Sequence, residues 1–71
     1  MLVPYNLGNE IGKEHARSRI KRYSEKKLKT LYKLIFGEFK QYFFNAFYDG
    51  YQDGYDYIVR LRREIKKLNK R

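Results

Sequence analysis

The sequence contains no cysteine and no tryptophan, and it has a single proline. Without cysteine the chain cannot form disulfides, and metal sites built from thiolates are excluded. A chain of 71 residues makes one domain at most. Because a domain of this size buries only about 60% of the surface that its unfolded chain exposes, association with another molecule is a common way to stabilise it.

Long apolar runs are also missing. The longest uninterrupted stretches, such as Leu34-Ile35-Phe36, fall far short of the roughly 18 residues that a membrane-spanning helix requires. The first ten residues, MLVPYNLGNE, have neither the basic leader nor the apolar run of a signal peptide. We therefore expect a cytoplasmic protein.

Acidic residues are scarce as well. The chain has 17 Lys and Arg against 8 Asp and Glu, which gives a formal net charge of +9. A small basic chain favours acidic partners, which can be nucleic acid, an anionic membrane surface or an acidic patch on a protein. Disorder is not expected, because 42% of the residues are apolar and 18% are aromatic.

The spacing of the apolar residues predicts helices. They recur at intervals of three and four, as at Leu28, Leu31, Tyr32, Ile35 and Phe39, and alternation with a period of two is absent. The sequence therefore predicts an all-α fold.

Local signals divide the chain. Residues 1–9 hold Pro4 and Gly8 and are predicted to form an irregular arm, with Asn9 as an N-cap. One helix is predicted over 10–36, with a possible break near residue 23 because Ser24 can cap a new helix. A second is predicted over 38–69, after Gly37 as a C-terminal cap. We expect a single domain built as a helical hairpin that associates as a dimer. The alternative is one long bent helix that pairs with another copy.

Basic residues form two groups. The first lies on one helical face and comprises Arg19, Arg22, Lys26, Lys29, Lys33 and Lys40. The second lies near the C-terminus and comprises Arg60, Arg62, Arg63, Lys66, Lys67, Lys70 and Arg71, of which Arg60, Arg63 and Lys67 are predicted contacts. Such groups can neutralise phosphates without reading base sequence. The alternative is that the first group is only the solvated face of an amphipathic helix.

Aromatic and small residues are concentrated between residues 39 and 57. Ala46, Gly50 and Gly54 are four apart, a spacing that lets helix backbones approach closely. Because the rings outnumber the places that a hairpin can cover, we predict an oligomer or partner interface. Its residues are Phe44, Ala46, Phe47, Tyr48, Gly50, Tyr51, Gly54 and Tyr55. The alternatives are a core helix with tyrosines at its rim, and rings that stack on nucleobases.

No catalytic or metal-binding pattern is recognisable. Asp49, Asp53 and Asp56 share one helical face, and we interpret them as solvated, with Asp56 pairing with Arg60. The three carboxylates could set the register of an antiparallel dimer. His15 has no partner at a catalytic spacing. We expect no enzymatic activity, no metal and no cofactor.

These observations predict a small basic helical protein that binds nucleic acid through phosphates, with low sequence specificity and as a homo-oligomer. The alternative is a small inhibitor or adaptor, of the kind that phages and mobile elements encode, which binds an acidic host protein through its aromatic segment and its basic face. Binding to a membrane surface through the segment KKLKTLYKLIF is a third interpretation, which the acidic residues of the second helix disfavour.

Overall fold

The computed structural model describes residues 3–69, and within that range it contains three α-helices and no strand. Helix α1 spans Pro4–Arg17, α2 spans Glu25–Phe36 and α3 spans Gln41–Asn69. The all-α prediction is confirmed. Among the described helices, none combines the length and the apolar character needed to pass through a bilayer.

Helix α1 begins much earlier than predicted. Pro4 occupies its first turn, where the missing N–H has no helical acceptor in any case and the fixed φ of proline suits the helix. Asn9 therefore lies in the middle of α1, and the residue before the helix is Val3, whose side chain makes no capping hydrogen bond. The predicted irregular arm is wrong for residues 4–9, while Met1 and Leu2 lie outside the described residues.

The end of α1 is a tight turn that reverses the chain. The N–H of Ile20 donates to the carbonyl of His15 at 2.8 Å, and the N–H of Arg19 donates to the carbonyl of Ala16 at 3.2 Å. This pair of bonds is the Schellman motif, which places one residue in the left-handed region. Here that residue is Arg19, with φ of 59°, where glycine is the usual choice.

The break predicted near residue 23 is present as a linker over residues 18–24, so the predicted helix 10–36 is two helices. Ser24 caps α2, because its hydroxyl accepts from the N–H of Lys27 at 3.2 Å. Gly37 ends α2 as predicted, with φ of 79°, and its N–H donates to the carbonyl of Lys33. Helix α3 begins at Gln41 rather than at residue 38. Three helices thus take the place of the predicted hairpin of two.

Helices α1 and α3 run side by side in the same direction. Near the start of α1, the Tyr5 hydroxyl donates to Asp53 at 2.6 Å, and near its end the Ala16 carbonyl accepts from Arg62. Helix α2 runs in the opposite direction, and its Leu28 and Tyr32 pack against α3. The described residues form an elongated body of 50 × 20 × 16 Å.

The contact between α1 and α3 is made by two glycines from each helix. A Cβ atom on Gly8 or Gly12 would overlap the carbonyl oxygen of Phe47 or Tyr51, respectively. In the same way, a Cβ atom on Gly50 or Gly54 would overlap a carbonyl oxygen of α1. The glycine Cα–H groups therefore face carbonyl oxygens across the crossing, an arrangement typical of closely packed helices. The close approach that the spacing of Gly50 and Gly54 predicts is found, with α1 as the neighbouring helix.

The core lies where α2 covers α3. Its fully buried members are Leu28, Tyr32, Phe44, Phe47 and Tyr51, each at most 2% exposed. The Tyr32 ring packs edge to face on Phe44 and Phe47, with centroids 5.8 Å and 5.6 Å away.

The packing corrects the predicted interface. Phe44, Phe47, Gly50, Tyr51 and Gly54 are buried against α1 and α2 of the same chain, so no second molecule is needed to cover them. The short α1 supplies the cover that a two-helix hairpin would have lacked. Tyr48 and Tyr55 are half-buried and pack against this core, and Ala46 is half-buried.

Candidate functional site

The break between α1 and α2 separates the members of the first basic group. Arg19 and Arg22 lie in the linker, Lys26, Lys29 and Lys33 lie on α2, and Lys40 precedes α3. Because α2 runs back along α3, its lysines lie beside the first half of α3, whereas the linker lies beside the second half. The single stripe predicted from a continuous helix is therefore not formed.

The linker arginines instead join the C-terminal group. Arg19 lines a surface cleft of about 410 Å³ with Arg62, Arg63 and Lys66, and the apolar side chains of Val59 and Ile65 complete its lining. On the other side of Arg63, a second cleft of about 450 Å³ is lined by Arg22 and Arg60, together with Asp53 and Asp56. We call this region the basic end and define it by Arg19, Arg60, Arg62, Arg63, Lys66 and Lys67.

Arg22 fixes the linker to α3. Its guanidinium donates to Gln52 and to Asp56 and lies 4.5 Å from the centroid of the Tyr55 ring. The Tyr55 hydroxyl in turn donates to the carbonyl of Ile20 at 2.6 Å. Arg22 is thus a positioning residue whose charge is offset by Asp56. The predicted pair of Asp56 with Arg60 is replaced by this longer-range pair.

Arg62 fixes the end of α1 to α3. Its guanidinium donates to the carbonyl of Ala16, which also accepts from the N–H of Arg19. A cation near the carbonyl end of a helix is favoured by the helix dipole. The turn that holds Arg19 is therefore anchored directly on the basic segment of α3.

Positive charge dominates the basic end. Residues 17–22 contain four basic residues and no acidic one, and between residues 57 and 69 the only acidic residue is Glu64. Glu64 lies 3.9 Å from the Lys67 ammonium, an exposed pair of the kind that contributes little to stability. Arg19, Arg60, Arg63 and Lys66 are all exposed. Lys70 and Arg71 of the predicted group lie outside the described residues.

The lysines near the first half of α3 have local partners. Lys29 pairs with Glu25 at 3.9 Å and lies 5.9 Å from the ring centroids of Phe39 and Phe44. Lys33 lies 5.7 Å from the Phe39 ring centroid. Lys40 pairs with Glu38 at 3.5 Å. These lysines help to cover the aromatic core, and Lys26 is exposed on the outer side of α2.

His15 belongs to a structural network. Its Nδ1 atom is 2.7 Å from the Tyr51 hydroxyl, which also accepts from the backbone N–H of Tyr23 at 3.0 Å. Burial lowers the pKa of His15, and the neighbouring Glu14 partly opposes that shift. The network joins α1, the linker and α3. Among residues 3–69, no group of three His, Asp or Glu side chains could hold a metal ion.

Two features of the site were missed by reasoning from the sequence. Gly8 and Gly12 have the same spacing of four as Gly50 and Gly54, and this repeat is the signal that could have paired the two helices. Arg62 was grouped with the C-terminal cations, but its bond to Ala16 depends on a turn 46 residues away. Comparison with protein-family models, with curated proteins and with solved structures finds no match for this chain.

Proposed function

We propose that the protein binds nucleic acid through its phosphates, at the basic end. The observation that carries this proposal is the convergence of the linker and the second half of α3, two segments rich in arginine and lysine that are distant in sequence. Binding of a polyanion there releases counterions from the phosphates and relieves the repulsion among these cations.

The conformation of Arg19 supports the proposal. A residue other than glycine in the left-handed region costs roughly 1 kcal/mol or more. The Arg19 side chain is exposed, so burial in the core gives no compensation for that cost. Unfavourable backbone conformations of this kind concentrate at functional sites. A contact between the Arg19 guanidinium and a phosphate supplies a reason for arginine at this position.

The dimensions of the basic end fit a phosphate backbone. Residues 59–67 of α3 extend over about 12 Å at the helical rise per residue. That length matches three to four phosphates of one strand, which are about 3.4 Å apart along the axis of a duplex. Contacts limited to phosphates give low sequence specificity.

A pair of double variants tests the proposal. R60Q/R63Q removes two charges from the basic end, and K26Q/K33Q removes two from α2. Fluorescence anisotropy with labelled duplex DNA, single-stranded DNA and RNA measures binding by each. We expect R60Q/R63Q to weaken binding at least about tenfold, which is about 1.4 kcal/mol, and K26Q/K33Q to have a much smaller effect. Equal losses in the two variants, or no binding by the unchanged protein at low salt, would contradict the proposal.

An adaptor or inhibitor function is the second candidate. An apolar cleft of about 300 Å³ at the opposite end is lined by Val3, Pro4, Phe36 and Phe43, among others, and Phe43 is 43% exposed. A cleft of this kind fits an apolar side chain of a protein partner. Capture of partners from a nuclease-treated lysate with the tagged protein tests this candidate. This candidate requires that the protein capture one stoichiometric partner. The F43S variant should no longer capture that partner, and the R60Q/R63Q variant should still capture it.

A further inference from the structure

The apolar residues of α3 follow a heptad repeat that extends past the core. Phe47, Tyr51, Gly54, Ile58, Leu61, Ile65 and Leu68 are spaced alternately four and three apart. This is the spacing of the a and d positions of a coiled coil. The first four are buried within the chain, whereas Leu61, Ile65 and Leu68 are 41%, 56% and 65% exposed. The repeat therefore continues beyond the helix that covers it.

The exposed part begins where α1 ends. The bond from Arg62 to the Ala16 carbonyl marks the level of the last turn of α1. From residue 63 to residue 69, α3 projects about 10 Å farther at the helical rise per residue. Leu61, Ile65 and Leu68 lie at or beyond this level. These side chains form an apolar face that the described part of the chain leaves uncovered.

From this pattern we infer that the face formed by Leu61, Ile65 and Leu68 pairs with the same face of a second copy, as a parallel two-stranded coiled coil. The uncovered part of the repeat has isoleucine at a, as Ile65, and leucine at d, as Leu61 and Leu68. That combination favours two parallel strands over larger assemblies.

The charges of α3 also fit a second copy. Arg60, Arg63, Lys66 and Lys67 fall at the outer positions b, c and f, which point away from the contact between two strands. The flanking positions hold Tyr57 and Glu64 at g and Arg62 and Asn69 at e. In a parallel pair each g residue faces the e residue of the next heptad in the partner. In the uncovered part Glu64 then faces Asn69, so no like charges meet, and Arg62 stays on the Ala16 carbonyl of its own chain.

The pairing is expected to be weak and to respond to salt. Its apolar contact covers about one and a half heptads, whereas stable coiled coils usually need three or more. Two chains of net charge +9 also repel each other. Salt screens that repulsion, so association strengthens as salt rises, whereas binding to nucleic acid weakens. The opposite responses separate this inference from the proposed function, on which it does not rest.

Analytical ultracentrifugation without nucleic acid tests the pairing. We expect a concentration-dependent dimer that is stronger at about 1 M than at about 0.1 M salt. I65S should weaken the dimer at least tenfold, and K66S, at an outer position, should not weaken it. Both residues are exposed, so circular dichroism should show unchanged helix content. A monomer at every concentration and salt, or equal weakening by the two variants, would overturn the inference.

The absence of cysteine gives a direct test of orientation. A single cysteine introduced as L68C lies opposite its counterpart in a parallel pair, and mild oxidation should link two chains. The neighbouring K67C lies at an outer position and should link them far less. Equal linking by the two variants, or none by L68C, would overturn the parallel arrangement. Anisotropy with labelled DNA is measured on reduced L68C, which keeps every residue of the basic end, so that a failure of nucleic-acid binding is seen separately.

Discussion

Gly12 of α1 lies against the backbone of Tyr51 in α3, so closely that a methyl group on Gly12 would overlap the Tyr51 carbonyl oxygen. Tyr51 is itself fully buried, and its ring packs against His15 of α1 and Tyr23 of the linker. The same residue thus meets α1 with its backbone and the linker with its ring. Through this arrangement a chain without disulfides covers a row of aromatic rings with its own helices.

The first prediction concerns Gly12→Ala. In an ordinary helix interior this change adds up to about 1 kcal/mol of stability. Here the added methyl group must push α1 away from α3, and overpacking of this kind costs about 1–3 kcal/mol or more. Urea denaturation should therefore show a loss of stability. Asn6→Ala, at an exposed position of α1, is the control and should change stability by less than about 0.5 kcal/mol. A more stable Gly12→Ala protein would contradict the packing of α1 on α3.

The second prediction sets stability against binding at Arg19. Arg19→Gly relieves the left-handed conformation and should raise the free energy of unfolding by about 0.5–1 kcal/mol. The same change removes a phosphate contact and should weaken binding of DNA or RNA. Arg19→Ala is the matched control, because it removes the charge but keeps the strained φ. It should weaken binding equally without the gain in stability. Unchanged binding by both variants would remove Arg19 from the site.

The third prediction concerns the Tyr51 hydroxyl. Tyr51→Phe leaves the N–H of Tyr23 and Nδ1 of His15 without their shared partner. An unsatisfied, partly buried polar group costs about 1–3 kcal/mol. Thermal denaturation should show the loss, while Tyr42→Phe, at a position that is 81% exposed, should have little effect. Equal stability of the two variants would show that the network does not hold the linker in place.

The fourth prediction concerns pH. Burial lowers the pKa of His15, so the unfolded chain takes up a proton at a higher pH than the folded protein does. Stability should therefore be full above the unfolded value of about 6.5 and should fall as the pH drops through that value towards the folded pKa. His15→Gln should remove this dependence between about pH 7 and pH 5.5, above the range where carboxylates titrate. A midpoint of urea denaturation that rises as the pH falls through this window would contradict the assignment.

Local signals in the sequence were sufficient to predict both ends of α2. Ser24 and Gly37 act through bonds to residues three or four positions away, so their roles as caps could be predicted. Pro4 begins α1 where an irregular arm is predicted, because proline both ends helices and begins them, and the choice at this position depends on the residues after it. Gly8 then looked like a helix breaker, although its close contact with Phe47 favours glycine at that point of the helix.

The position of the basic end could not be predicted from periodicity. Arg19 and Arg22 share a helical face with Lys26 only if the helix continues through residues 18–24. Arg22 is instead held by Gln52 and Asp56, which are 30 and 34 residues away. Contacts over such distances are set by tertiary packing, which the spacing of charges does not encode.

The dependence of nucleic-acid affinity on salt tests the central claim most directly. Each phosphate neutralised on duplex DNA contributes about −0.9 to the slope of log K against log salt. All side chains of the basic end except Arg62, which is bonded to the Ala16 carbonyl, are free to contact phosphates. Five such contacts predict a slope of about −4.5. R60Q/R63Q should reduce the magnitude of the slope by about 1.8, and K26Q/K33Q should leave it unchanged. A slope near zero, or one that K26Q/K33Q reduces as much as R60Q/R63Q does, would contradict binding at the basic end.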